Sequence, residues 1–232
     1  PWDNDFQAGG PDMFGINWEY EKEVGGSMEV PGQELFEDVE DWRTAIVFPD
    51  VDSWDWEGSA KANREFLQTD KFVQMWLFTG WFERLISFMG FENAAVALID
   101  EDQQDEVIEL LDKVTDVYID IVEHCHKYFL PDGFYIHDDW GSSNNPFFSF
   151  EAGKEVIVPA MKKLTDRIHE LGMYAELHSC GKNERQIENF IAAGWDAWCP
   201  QNNLNDCVKL WDEYGDRIAI AVPAFRYDKD TA

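Results

Sequence analysis

Between residues 72 and 222 short apolar runs alternate with longer amphipathic stretches, and Gly or Pro punctuates most junctions. Strands separated by helices with short links must run parallel, joined by crossovers. The strand-like runs are Phe72–Phe78, Phe134–Ile136, Met173–Leu177, Trp195–Cys199 and Arg217–Val222. The helical stretches are Trp81–Met89, about 102–129, about 154–171, 184–193 and 205–214. The clearest is the long one, where Val107, Leu111, Val114, Tyr118, Ile121, Cys125 and Tyr128 recur on one face at helical spacing. Pro131 and Gly133 stop it. Pro159 is expected in the first turn of its helix, where a missing N–H matters little, and Gly172 is expected to cap the end. Residues 59–69 and 92–99 also read as helix, and Thr44–Phe48 as a strand stopped by Pro49.

The alternation leaves an open doubly wound sheet or a closed barrel. No Gly-rich phosphate fingerprint follows any run, which weighs against a dinucleotide fold. Ligand-type residues end three consecutive runs: His137-Asp138-Asp139, His178-Ser179-Cys180 and Cys199-Pro200-Gln201. Barrel active sites lie at that end of the strands. The expected class is therefore α/β, a TIM (β/α)8 barrel, incomplete in this chain because only five or six strands are legible. Residues 54–232 are expected to form the barrel portion. Residues 1–53 are expected to be an irregular aromatic-rich lid or partial N-terminal segment. No period of 2 or 3.6 holds there, and Trp2, Phe6, Phe14, Trp18 and Tyr20 are scattered among Gly, Pro, Asp and Glu.

The formal charge of −29 makes nucleic acid and anionic membranes poor partners. Its plain reading is solubility. Aromatic residues make up 15% of the chain, which argues for a folded core despite that charge. There is no run of 18 apolar residues to span a membrane. Four cysteines, at 125, 180, 199 and 207, show no disulfide framework, and with no visible secretory leader a reducing cytoplasm is the expected setting.

His178 and Cys180 stand two apart at a strand end, so imidazole and thiol face the same side. Zinc takes both donor types at about 2.0–2.3 Å, and a catalytic zinc keeps a position open. The competing reading is a packed strand-end His beside a buried Cys. A third ligand is needed. Cys199 ends the next strand, and Glu176 lies on the His178 face one layer deeper; Cys199 could equally be a small core residue. Of the adjacent Asp138 and Asp139 only one can enter the pocket, as a catalytic or orienting carboxylate; a cap or loop anchor is the alternative. His124-Cys125-His126 lies on the long helix, where successive side chains diverge by about 100°, so no metal is expected there. Cys207, on an outer helix, is set aside, and His169 suits a helix C-terminus.

The run Phe134 to Gly141, the Pro159 helix, Gly172 through Leu177-His178-Ser179-Cys180-Gly181, and Gly194-Trp195-Asp196 together resemble the uroporphyrinogen decarboxylase superfamily, over roughly residues 72–222. The likeness is closest to its corrinoid-dependent methyltransferase branch. It implies a TIM barrel with zinc on His178 and Cys180, the third ligand being Cys199 or a residue beyond Ala232. It implies methyl transfer between a corrinoid protein carrying methylcobalamin and a thiol such as coenzyme M or a methoxylated small molecule. The Arg-rich N-terminal segment of the true decarboxylases is not visible. Alternatives are a metal-free decarboxylase using Asp138 or Asp139, and a non-catalytic corrinoid-binding barrel.

Overall fold

The computed structural model describes residues 9–23 and 26–221. Trp2, Phe6 and Val222, invoked above, lie outside them. The described residues form two compact units: one from the N-terminal part to Thr69 with Arg84–Phe129, the other Asp70–Glu83 with the chain from Leu130 onward.

The first unit opens with three short strands, β1 (Gly10–Pro11), β2 (Asn17–Glu21) and β3 (Gly26–Glu29), paired antiparallel in chain order. Asp12 fixes the first turn: its Oδ1 accepts the Phe14 and Ile16 N–H groups at 2.9 and 3.0 Å, and its Oδ2 accepts the Trp18 indole at 3.2 Å and pairs with buried Arg84. Here the sequence shows no periodicity because no strand exceeds five residues. The strand expected at Thr44–Phe48 is not formed. Trp42–Ala45 is a helical turn, α1, whose Trp42 carbonyl accepts the Ile46 N–H at 3.0 Å. Trp42 and Ile46, four apart, are buried, while Val47 is 79% exposed, so the burial period is helical rather than alternating. Two short helices, α2 (Trp56–Ala62) and α3 (Arg64–Leu67), follow. Helix α4 (Trp81–Met89) carries the division between the units at Glu83/Arg84. After α5 (Phe91–Ile99) comes α6 (Gln104–Phe129), with Val107, Leu111, Val114, Tyr118, Ile121 and Cys125 buried along one face.

The second unit is a five-stranded parallel sheet: β4 (Gln74–Leu77), β5 (Gly133–His137), β6 (Tyr174–Ser179), β7 (Ala197–Pro200) and β8 (Ala219–Ile220). The strands lie side by side in chain order with no reversal. A doubly wound sheet changes direction at a switch point; none occurs among the described strands. The last strand is shorter than the expected Arg217–Val222, and the β7 strand starts two residues later than expected.

Helix α7 (Phe150–Ala152) and a π-helical turn at Gly153–Ile157 run directly into α8 (Val158–Glu170). The helical path thus starts at Phe150, capped by Ser149, whose Oγ accepts the Ala152 N–H at 3.0 Å. Pro159 is the second residue of α8, in its first turn as expected, although the helical path reaches back through the π turn to Phe150. The π turn accommodates it: the Val158 N–H reaches back five residues to the Gly153 carbonyl, relieving the clash an interior Pro makes with the preceding turn. Helices α9 (Ile187–Ala192) and α10 (Cys207–Tyr214) link the later strands, α10 starting where Asp206 accepts the Lys209 N–H at 3.2 Å.

The two faces of the sheet differ. Leu77, Phe134, Ile136, Ala175, Leu177 and Trp198 point to one face and are buried. Trp140, Phe148, Phe190 and Trp198 pack there with ring centroids 4.9–5.2 Å apart; each such burial stabilises by about 1.5–3 kcal/mol. The other face carries Trp76, Phe78, Tyr135, His137, Glu176, His178 and Cys199, at the alternate positions. Trp76 is 60% exposed and Tyr174 61%. No helix among the described residues is long and apolar enough to cross a membrane.

Candidate metal centre

Strand register gathers the polar residues. His137 on β5 pairs with His178 on β6, and His178 pairs with Cys199 on β7. Residues in register on parallel strands face the same way, so these three form a row across the C-terminal end of the open face. The imidazoles of His137 and His178 stack with centroids 4.6 Å apart and planes 25° apart. Asp139 and Cys180 extend the same face by two residues on each chain segment.

The donor atoms converge. His178 Nε2 lies 3.1 Å from Cys180 Sγ. His137 Nε2 and His178 Nε2 are each 3.8 Å from Asp139 Oδ1. Among the described residues the His/Cys/Asp/Glu set with one donor atom apiece, all within 4.8 Å of one another, is His137, Asp139 and His178. Ligand atoms around a tetrahedral zinc are separated by roughly 3.3–3.8 Å, given bonds of about 2.0–2.3 Å. The two imidazoles and the carboxylate are donor types that ion takes, their oxygen–nitrogen separations of 3.8 Å lie at the edge of that range, and the Cys180 thiol adjoins them on the His178 side.

The loops are held by interlocking contacts. The Cys180 N–H donates to Asp139 Oδ1 at 2.5 Å. Buried Ser179 Oγ accepts from the Trp140 N–H at 3.1 Å and the Asn183 side-chain amide at 2.9 Å. Asn205 Nδ2 donates to the Gly181 carbonyl and Gln201 Oε1 accepts the Gly181 N–H, both at 2.9 Å. Gly181 has φ 93°, and a Cβ there would lie 2.1 Å from the Gly141 carbonyl oxygen. Only glycine permits that approach, which brings the Asp-Asp-Trp-Gly and His-Ser-Cys-Gly segments together.

Asp138 is fully buried and turned away from this cluster. Its carboxylate accepts the α4 N–H groups of Phe82 at 3.3 Å and Glu83 at 3.0 Å, and the Trp140 indole at 2.7 Å. It acts as a cap for α4, supplied from the neighbouring strand. A Cβ on Gly80 would sit 2.5 Å from the Asp138 Cβ, so the turn into α4 needs glycine there. Burial raises the Asp138 pKa to about 6, against the lowering by the Glu83, Trp140 and Phe82 hydrogen bonds.

Glu83, in the first turn of α4, holds His137: its Oε2 is 3.0 Å from His137 Nδ1. Burial pushes Glu83 up to about 7, partly offset by that bond. Burial lowers His137, but Glu83 and the carboxylates of Asp139 and Asp138 outweigh it and raise its pKa to about 9. His178 is lowered, by burial and then by the charge of His137. Burial, then the Asp139 carboxylate, pushes the Cys180 thiol up to about 12. A thiol in such surroundings is protonated at neutral pH.

Cys199 stands at the end of the His178 row but takes a hydrogen bond from Tyr135; burial raises its pKa and that bond partly offsets the rise. Glu176 is engaged by the Gln74 amide at 2.7 Å. Cys207 is buried at the start of α10, 3.2 Å from Asn202 Oδ1. His124 stacks on Trp56 and faces Asp52, and His169 lies 2.9 Å from Asp196. The sequence places His137 among the ligand-type strand-end residues without a role of its own, and it does not single out Glu83. His137 and Asp139 carry the same two-residue spacing that singled out His178 and Cys180. Nothing local marks Glu83.

No family model and no curated protein matches the chain. Among solved structures it is similar to a methyltransferase from Methanosarcina mazei, with a TM-score of 0.68, 15% identity, and 95% of this chain covered. The chain spans 62% of the length of that structure, and at this identity the likeness speaks for the fold.

Proposed function

We propose that the chain is the larger part of a zinc-dependent methyltransferase barrel that moves a methyl group between a corrinoid protein, carrying methylcobalamin, and a thiol or methoxylated small molecule. One observation carries the reading: imidazole and carboxylate donors of His137, Asp139 and His178, from the ends of two adjacent parallel strands, converge within 4.8 Å of one another, with Cys180 Sγ 3.1 Å from His178 Nε2 beside them. Chain-ordered parallel strands and the fold likeness support a barrel, whose chemistry sits at this end of the strands.

His178 and Cys180 would hold the ion, with Asp139 and the His137 side at its flank. Bound zinc supplies Lewis acidity, holding a substrate thiol as the stronger nucleophile, the thiolate, near neutral pH. The chain supplies position. Asn183, Asn205 and Gln201 fix the Cys180–Gly181 turn, and the Asp139 carboxylate is tied to the Cys180 backbone. The open aromatic face of Trp76, Phe78 and Tyr135, with Trp76 stacked on Tyr135 at 5.0 Å, offers flat apolar surface beside the donors and suits a corrin ring.

The experiment combines metal analysis of the full-length protein with methylation of cob(I)alamin or demethylation of methylcobalamin, followed by its visible spectrum. The expected result is one zinc per chain and turnover, both lost in His178→Ala and Cys180→Ser. Full zinc content and activity in both variants overturn the reading.

A further inference from the structure

We propose that His137, oriented by Glu83, is itself a ligand of this site, so that the donor set is His137, Asp139, His178 and Cys180 while Cys199 stands outside it. This rests on the reading that the strand-end cluster binds zinc.

Register is the first support. His137 and His178 are directly paired across β5 and β6, and the near-parallel rings present both Nε2 atoms to the same carboxylate oxygen at the same 3.8 Å. The two Nε2 atoms and the carboxylate oxygen thus lie within 4.8 Å of one another, a spacing that suits donors to one cation. The second support is the far nitrogen. A metal-bound histidine characteristically donates its other ring N–H to a carboxylate, which fixes the tautomer and raises the basicity of the ligating nitrogen. His137 has that arrangement: Glu83 engages Nδ1 at 3.0 Å, and Nε2 is left facing the cluster.

The third support is rigidity. Glu83 sits on the first turn of α4, where Asp138 grips the Phe82 and Glu83 N–H groups, and the Gly80 N–H bonds the His137 carbonyl at 2.6 Å. Ligand and supporting carboxylate are therefore braced against each other before any ion arrives. Cys199 has the opposite circumstances. Its thiol is engaged by Tyr135, whereas Cys180 Sγ lies 3.1 Å from His178 Nε2. Two nitrogens, one carboxylate oxygen and one sulfur form a borderline-soft set that favours zinc or cobalt over magnesium or calcium.

The test is a titration of the metal-free full-length chain with Co(II), read by absorption, and with Zn(II) against a chromophoric chelator. The wild type should give tetrahedral d–d bands and a charge-transfer band from a single thiolate. Cys199→Ser should leave both spectrum and affinity unchanged. Glu83→Gln, which preserves shape, should weaken zinc about 10–100-fold, the usual effect of an outer-shell partner, and His137→Gln should weaken it further and shift the d–d bands. Unchanged affinity and spectrum in both His137→Gln and Glu83→Gln, with loss in Cys199→Ser, overturn this donor set and leave the zinc reading standing. Failure of the wild type to bind either ion at one per chain overturns both.

Discussion

Asp138 and Asp139 are chemically identical neighbours with different surroundings, and substituting each in turn separates their roles. Asp138→Ala removes the acceptor for two N–H groups of the first turn of α4 and for the Trp140 indole. Loss of a helix cap costs about 1–2 kcal/mol. A buried indole N–H left without a partner costs about 1–3 kcal/mol. Relief of the burial penalty that raises the Asp138 pKa offsets part of this, so the expected loss is about 2–4 kcal/mol. Asp138→Asn should not fully restore stability, because its donors approach both carboxylate oxygens and an amide offers one acceptor. Asp139→Asn should change stability by less than about 1 kcal/mol, since Asp139 is partly exposed, yet weaken zinc at least tenfold. The assay is urea unfolding followed by tryptophan fluorescence, paired with zinc competition on folded protein. A fully stable Asp138→Asn variant that loses its zinc would refute the division of roles.

Three further outcomes follow from the same geometry. Gly181→Ala places a Cβ 2.1 Å from the Gly141 carbonyl at a φ of 93°, so urea unfolding should show a loss of at least about 2 kcal/mol; a loss under about 0.5 kcal/mol contradicts the close approach. Burial raises Glu83 to about 7 and its surroundings raise His137 to about 9, so the folded chain keeps protons that the unfolded chain releases from about pH 4.5 for Glu and 6.5 for His. Stability relative to Glu83→Gln should therefore be greatest below pH 4.5 and fall as pH rises through 7 towards 9, measured in metal-free buffer; a difference that rises with pH refutes the dominance of burial over the His137 pairing at Glu83. Zinc binding at pH 7 should release about two protons per ion, one from the Cys180 thiol and one from His137, measured by calorimetry in buffers of different ionisation enthalpy; release near zero speaks against thiolate ligation.

Legibility in the sequence followed the range of the interactions. Helix α6 and the parallel strands were readable because apolar spacing is a local signal, and His178 and Cys180 were readable because a two-residue spacing fixes a shared face. The same rule applied to His137 and Asp139 would have drawn His137 in. The Asp138 role was undecidable locally: the N–H groups it caps lie 55 and 56 residues upstream, brought alongside only when β4 and β5 pair. Glu83 is hidden for the same reason, 54 residues from His137. The N-terminal sheet escaped because its strands are too short to repeat a pattern, and Thr44–Phe48 misled because an apolar run of five fits a strand and a helical turn equally well. The π turn before Pro159 shows how an interior proline is absorbed, a choice that the residue type alone leaves open.

The central claim is that side chains from the ends of β5 and β6 share one cation. X-ray absorption at the zinc edge of the loaded full-length protein counts the donors directly. The account predicts one sulfur at about 2.3 Å with nitrogen and oxygen ligands at about 2.0–2.2 Å, including outer-shell scattering from two imidazoles. Two or more sulfurs with a single imidazole, or six oxygen-type ligands and no sulfur, would contradict it.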